Sequence, residues 1–224
     1  MRRFLRDNGL SVVFGLLFLG SVVGQAFAGH ADYVNRQLAR GGDPVSFWAY
    51  VTSSDFAVDI AENWQSEYLQ FFLYVMATVW LVQRGSPESK QLRRIGRESD
   101  ADQLVGRHVT ESSPRWARTG GWRTMLFSRS LGLVMGLLFL SSWLAQSIAG
   151  MSAFNAEQLA DFTDPLTWPQ YVASADFWNR TLQNWQSEFL AIGSMAILSV
   201  YLRERGSPES KPVGASHTVT DESG

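Results

Sequence analysis

An offset of 121 residues lays the second half of this chain over the first without a gap, pairing Trp64 with Trp185. Asn63-Trp64-Gln65-Ser66-Glu67-Tyr68-Leu69 returns as Asn184-Trp185-Gln186-Ser187-Glu188-Phe189-Leu190, and Arg84-Gly85-Ser86-Pro87-Glu88-Ser89-Lys90 returns unchanged as Arg205-Gly206-Ser207-Pro208-Glu209-Ser210-Lys211. The same offset pairs Gly15-Leu16-Leu17-Phe18-Leu19 with Gly136-Leu137-Leu138-Phe139-Leu140, Gln25 with Gln146, Asp43-Pro44 with Asp164-Pro165, and Asp55-Phe56 with Asp176-Phe177. About four positions in ten are identical between the halves, many of them polar, which chance similarity of apolar segments does not produce. The chain is a tandem duplication, so whatever the first half folds into, the second folds into as well.

Each half contains two apolar blocks. Leu10 to Ala28 and its counterpart Leu131 to Ala149 are nineteen-residue runs; as helices they span about 28 Å, close to a hydrocarbon core of about 30 Å. The first follows a basic tail carrying Arg2, Arg3 and Arg6, and Ala26-Phe27-Ala28 would suit signal-peptide cleavage. Its mid-chain twin argues for a span instead. The second block, Tyr68 to Val82, is only fifteen residues, about 22 Å of helix. Completing a span of about twenty residues draws the Asn-Trp-Gln-Ser-Glu motif into the outer leaflet. Gly85 and Gly206 supply helix stops, with Pro87 and Pro208 just beyond.

The expected fold is therefore all-α and membrane-integral: four transmembrane helices arranged as two tandem hairpins, a four-helix bundle. The expected layout is a basic tail over 1–9, and a first repeat over 10–90 with spans at about 10–28 and 63–83. An Arg-rich connection over 91–130 follows. The second repeat covers 131–211 with spans at about 131–149 and 184–203, and a polar tail runs over 212–224. In the outer loops, Asp43-Pro44 reads as N-cap and first helical residue, Ser53-Ser54-Asp55 as the cap of the next helix, and Phe47, Trp48 and Tyr50 as a short interfacial helix.

Lys and Arg set the orientation. Three lie in the N-terminal tail, ten between Arg84 and Arg129, and three at the C-terminal end, against Arg36, Arg40 and Arg180 in the other two loops. By the positive-inside rule both termini and the connection are cytoplasmic. Both hairpins then share one orientation, as parallel repeats related by an axis along the membrane normal. Trp116 and Trp122, set among the arginines of 91–130, point to anionic lipid head groups as a partner beside the bilayer itself, and no nucleic acid is called for.

The candidate polar intramembrane site is Glu67 and Glu188 with Gln65, Gln186, Asn63, Asn184, Gln25 and Gln146. Such groups serve either as interhelical hydrogen-bonding glue or as a paired-carboxylate site for a proton or cation. Trp64 and Trp185 read as interface anchors. Arg84, Lys90, Arg205 and Lys211, in the repeated heptapeptide, are candidates for docking a protein partner or a second copy, since a helix stop needs only Gly and Pro. Arg36 and Arg40 are replaced by Glu157 and Asp161 in the second half, and Asp59 by Arg180, so oppositely charged faces are expected to meet. The chain has no Cys, and His30, His108 and His217 are unmatched by the repeat. No cofactor or metal is expected, and no Gly-rich phosphate loop or nucleophile elbow is present.

Trp-Gln-Ser-Glu-Phe at 185–189, with Tyr68 in place of Phe in the first half, and the two Arg-Gly-Ser-Pro-Glu-Ser-Lys copies resemble a family of bacterial membrane proteins, domain of unknown function 6766. The resemblance implies a membrane location in bacteria and supplies no activity; the expected location is the bacterial cytoplasmic membrane. The expected function is that of a non-enzymatic membrane protein, structural or partner-binding; the alternative is a small transporter or channel using Glu67 and Glu188.

Overall fold

The computed structural model describes residues 2–221, and among these every regular element is helical. Two helices are long and apolar enough to cross a membrane, Gly9–Ala39 and Ser130–Ala160. The chain divides into two compact units, Met1–Ala61 with Ala145–Val172 and Glu62–Leu144 with Ala173–Gly224.

The first unit holds α1 (Arg2–Asp7), α2 (Gly9–Ala39), α3 (Phe47–Val51), the start of α4 (Ser54–Ala77), the later part of the 130–160 helix, and a short helix at Trp168–Val172. Helix α2 runs eleven residues past the expected end at Ala28, about 16 Å of additional rise. Hydropathy marks only the greasy part of a helix; His30 to Ala39 continue it in mixed polar and apolar residues. The aromatic pair Tyr50 and Tyr171, equivalent in the repeat, are the most buried apolar side chains here, at 1 % and 0 % exposure. Each lays its hydroxyl against a glycine of the long helix: a Cβ on Gly29 would overlap Tyr50 Oη, and a Cβ on Gly150 would overlap Tyr171 Oη. The repeated Ala-Gly pair at 28–29 and 149–150 is thus a seat for a tyrosine.

Asp43-Pro44 does not start a helix. The chain stays non-helical through Ser46, whose Oγ accepts from Ala49 N at 3.3 Å and caps α3 in place of Asp43. The second copy uses different chemistry. Gln170 Oε1 accepts from Thr167 N at 2.8 Å, half of a capping box. His30 is a loop tie, its Nε2 2.7 Å from Val45 O; at the repeat-equivalent loop position, Asn155 exchanges two 2.8 Å hydrogen bonds with Leu166. The expected meeting of charged loops is realised at Arg40 and Glu157, 3.7 Å apart and each about half exposed, a pair of the kind that contributes at most about 1 kcal/mol.

The second unit holds the rest of α4, α5 (Arg115–Arg118), α6 (Gly121–Phe127), the first part of α7 (Ser130–Ala160) and α9 (Ala175–Tyr201); α8 is the Trp168–Val172 helix already described. Helices α4 and α9 start where Ser53 and Ser174 cap them, each accepting from a backbone N–H three residues on at 3.3 Å. The Trp-Gln-Ser-Glu motif therefore sits mid-helix rather than opening the helix. Helix α4 ends at Ala77, short of the expected 83. There Thr78 Oγ1 turns back on Tyr74 O at 2.8 Å, and Gly96 N reaches Val79 O at 2.8 Å.

Helix α7 packs antiparallel on α4 through small residues. A Cβ on Gly132 would come within 3.2 Å of Met76 Sδ, and one on Gly136 within 3.1 Å of Phe72, the close approach that glycines four apart give helices in lipid. Trp143 on α7 stacks on Phe177 of α9 at 6.1 Å and tilts against Trp185 at 5.9 Å. In the connection, Trp116 and Trp122 meet edge to face at 6.3 Å, with Arg123 5.6 Å over the Trp122 ring.

Candidate functional site: two helices, two collars and a cleft

Four contacts join α4 to α9: Glu62 to Arg180 at 3.3 Å, Gln65 Oε1 accepting from Trp185 Nε1 at 2.8 Å, Ser66 Oγ donating to Glu188 Oε1 at 3.5 Å, and Gln70 Nε2 donating to Glu188 O at 3.2 Å. Residue numbers rise together along both helices, so the helices are parallel. The sequence separations of 118 to 122 bracket the repeat offset, so the helices are nearly in register.

The two motif copies nevertheless present different faces. In α4, Gln65 and Ser66 are buried while Trp64 and Glu67 are exposed; in α9, Gln186 and Ser187 are exposed while Trp185 and Glu188 turn inward. One residue is about 100° around a helix, so a modest rotation exchanges the buried set. Glu67 and Glu188 consequently do not form a symmetric pair, and Trp185 is an interhelical hydrogen-bond donor as much as an anchor. Asn63 and Asn184 lie on the same helices, and Asn184 Nδ2 donates to Arg180 O at 2.9 Å. Gln25, half-buried on α2, and Gln146, fully buried on α7, belong to the first unit.

The heptapeptide copies are small hydrogen-bonded collars, and they explain why so many residues repeat. Gly85 and Gly206 sit at φ +90° and +86°, where a Cβ is strained. Ser86 and Ser207 each accept from the N–H of the glutamate two residues on, at 3.3 and 3.2 Å. Ser89 and Ser210 each accept from the N–H six residues back, that of Gln83 at 3.1 Å and of Glu204 at 2.9 Å, closing the loop. The lysine then pins the segment that follows. Lys90 donates to Gly96 O at 3.1 Å and pairs with Glu98 at 3.2 Å, and that hydrogen bond holds the Glu98 carboxyl below its ordinary range. Lys211 is 1 % exposed and donates to Ser216 O, His217 O and Val219 O at 3.1 to 3.2 Å. Both lysines are thus engaged inside the fold. Of the four candidate docking residues, only Arg84 and Arg205 present exposed surface.

The segment that Lys211 pins crosses back to the first collar. Thr220 Oγ1 accepts from Gly85 N at 2.9 Å, Asp221 N donates to Ser86 O at 3.3 Å, and a Cβ on Gly85 would strike His217 O. His217 itself lies 3.0 Å from Val200 O.

An open cleft of about 480 Å³ lies between α4, α9 and the two collars. Phe71, Ala191, Ile192 and Met195 form its apolar wall; Gln70, Tyr74 and Thr78 come from α4, and each collar contributes one glutamate, Glu88 and Glu209. Tyr74 donates its hydroxyl proton to Glu88. Glu209 shares a hydrogen bond with Glu88, and that bond, then the Glu88 charge, then partial burial, raise the Glu209 carboxyl above its ordinary 4.5. Glu88 and Glu209 are thus a pair of acids joined by a hydrogen bond at the cleft. Their equivalence in the repeated heptapeptide was the signal in the sequence that could have found them.

A consequence can be measured. The fold favours protonated Glu209, so the stability it contributes is full below about pH 4.5 and is lost as pH rises through the raised value. Glu209→Gln keeps a hydrogen-bond donor and does not titrate. Thermal melts at pH 5 and pH 8 should show the parent losing more stability between the two than the variant; equal losses would refute the shared proton.

Among the described residues, no group of three or more His, Cys, Asp or Glu side chains is placed to hold a metal ion. No curated protein and no solved structure matches the chain. The family model of DUF6766, domain of unknown function, matches residues 1–222, and the chain belongs to that family.

Proposed function

We propose that this is a four-span protein of the bacterial cytoplasmic membrane, with both termini and the Arg-rich connection in the cytoplasm. In this reading it works by binding rather than by catalysis. One observation carries the proposal: the polarity of the fold is reversed. Gln65, Ser66, Gln70, Ser142, Gln146 and Thr181 are buried, while Phe14, Leu16, Leu17, Leu137, Leu190 and Ile197 are exposed. That arrangement is costly in water, where contiguous exposed apolar surface drives association. It suits lipid, where polar side chains are the glue between helices.

The parallel, near-register contact of α4 with α9 agrees with two hairpins of one orientation. The buried polar residues serve the glue role, and the exposed position of Glu67 weighs against transport through a Glu67–Glu188 pair. The cleft at the collared end of α4 and α9 is the recognition site, and the Trp116–Trp122 patch with its arginines rests on anionic head groups.

The chain lacks cysteine, so single cysteines can report topology in intact cells. A cysteine at Asp43 should react with a membrane-impermeant maleimide from outside. One at Ser112 should react only after lysis. Labelling of Ser112 in intact cells would overturn the orientation, and a monodisperse preparation without detergent would overturn the membrane reading itself.

A further inference from the structure

We infer that the cleft takes an amphipathic organic cation, a protonated amine joined to an apolar body. This rests on the membrane reading above and adds the class of ligand.

The walls divide the work. Phe71, Ile192 and Met195 offer an apolar surface, and the two glutamates meet at one end. The volume falls within the range of about 300–1,000 Å³ typical of small-molecule sites, which combine apolar walls with a few convergent polar groups. Gln70 is a second, independent indication. It is only 9 % exposed, it lines the cleft, and its Nε2 is used by Glu188 O, while its Oε1 accepts from no group among the described residues. That carbonyl oxygen is an acceptor with capacity to spare at the cleft wall, and a bound ammonium supplies a donor for it. The Phe71 ring adds a face for a cation.

The same inventory counts against a bare divalent ion. Two carboxylates and one amide are fewer oxygens than the six to eight that calcium takes, and a metal has no use for an apolar wall. An anion would meet two acidic side chains. A neutral apolar guest would leave the glutamate pair without a role.

Duplication accounts for the geometry. Each collar delivers its glutamate by the same turn, so the pair comes from one motif used twice. The helical walls have diverged. Gln70, Phe71 and Tyr74 of α4 stand where α9 has Ala191, Ile192 and Met195. One side offers hydrogen bonds and the other offers grease, as an amphiphile requires.

The test uses the full chain in phosphatidylcholine nanodiscs at pH 7.5, with 1-naphthylmethylamine as probe and 1-naphthylmethanol as its uncharged isostere. The amine should bind saturably and at least tenfold tighter than the alcohol. Glu88→Gln with Glu209→Gln should weaken the amine at least tenfold and leave the alcohol unchanged. Met195→Trp, which fills the cleft and spares both acids, should weaken it as well, and a melting curve for each variant confirms folding. Adding phosphatidylethanolamine separates two sources of the same chemistry: competition assigns the site to a lipid amine, and its absence to a soluble cation. Equal binding of amine and alcohol, or full binding by the folded double variant, overturns the inference. If binding fails while cysteine labelling keeps its pattern, the ligand class falls and the membrane reading stands.

Discussion

Replacing Lys211 with alanine is expected to release residues 212–221 and to destabilise the second unit, each carbonyl left without its donor costing about 1–3 kcal/mol. Its ammonium is 1 % exposed and satisfies three backbone carbonyls. Without it those oxygens must find water, and the segment carrying them must leave its place to do so. The damage then spreads to the first collar, because Gly85 N–H and Ser86 O depend on Thr220 and Asp221 of that segment. Lys90→Ala should do much less, since Lys90 is only half-buried and holds one carbonyl and a half-buried glutamate. Limited proteolysis in detergent reads this directly. The Lys211 variant should be cut within 212–221 under conditions where the parent and the Lys90 variant remain whole. Equal resistance of all three would show that the lysine is not the clasp.

The second large effect belongs to the tyrosine seat. Tyr171→Ala should cost about 3–5 kcal/mol, as expected for removing a fully buried aromatic ring. Gly150→Ala alone should cost about 1–3 kcal/mol, because its methyl group has no room beside the Tyr171 hydroxyl. The two changes together should cost scarcely more than Tyr171→Ala, since the clash disappears with its partner. Such a cycle isolates a contact from general damage to a helix. The same set at Gly29 and Tyr50 should behave alike. Additive losses in melting experiments would mean that the glycine serves the helix rather than the tyrosine.

Much of the fold was legible because the repeat acts as an internal control. A serine cap predicted at Ser53 reappears at Ser174, and Tyr50 and Tyr171 occupy matched seats. The all-helical class and two apolar helices of membrane-crossing length follow from the apolar blocks alone.

What escaped did so for identifiable reasons. Helix ends moved because hydropathy registers where a helix is greasy, not where its hydrogen bonds stop; α2 continues to Ala39 in mixed polar and apolar residues. Asp43-Pro44 carries a strong N-cap signature, yet Ser46 stands closer to Phe47 and takes the role. The two motif copies are unequal, with Glu67 exposed and Glu188 half-buried, because identical motifs on two helices need not turn identical faces to each other. The meeting of Glu88 and Glu209 was hidden because it depends on two loops closing, and loop closure leaves no hydrophobic periodicity to read.

The clasp across the first collar carries a consequence for biosynthesis. The hydroxyl that completes the amide of Gly85 arrives 135 residues later in the chain, a delay on the order of ten seconds at about 5–20 residues per second. During that interval the first collar stands unfinished, with Gly85 N–H and Ser86 O still waiting for Thr220 and Asp221. The first collar can therefore close only once the last residues of the second repeat have been made.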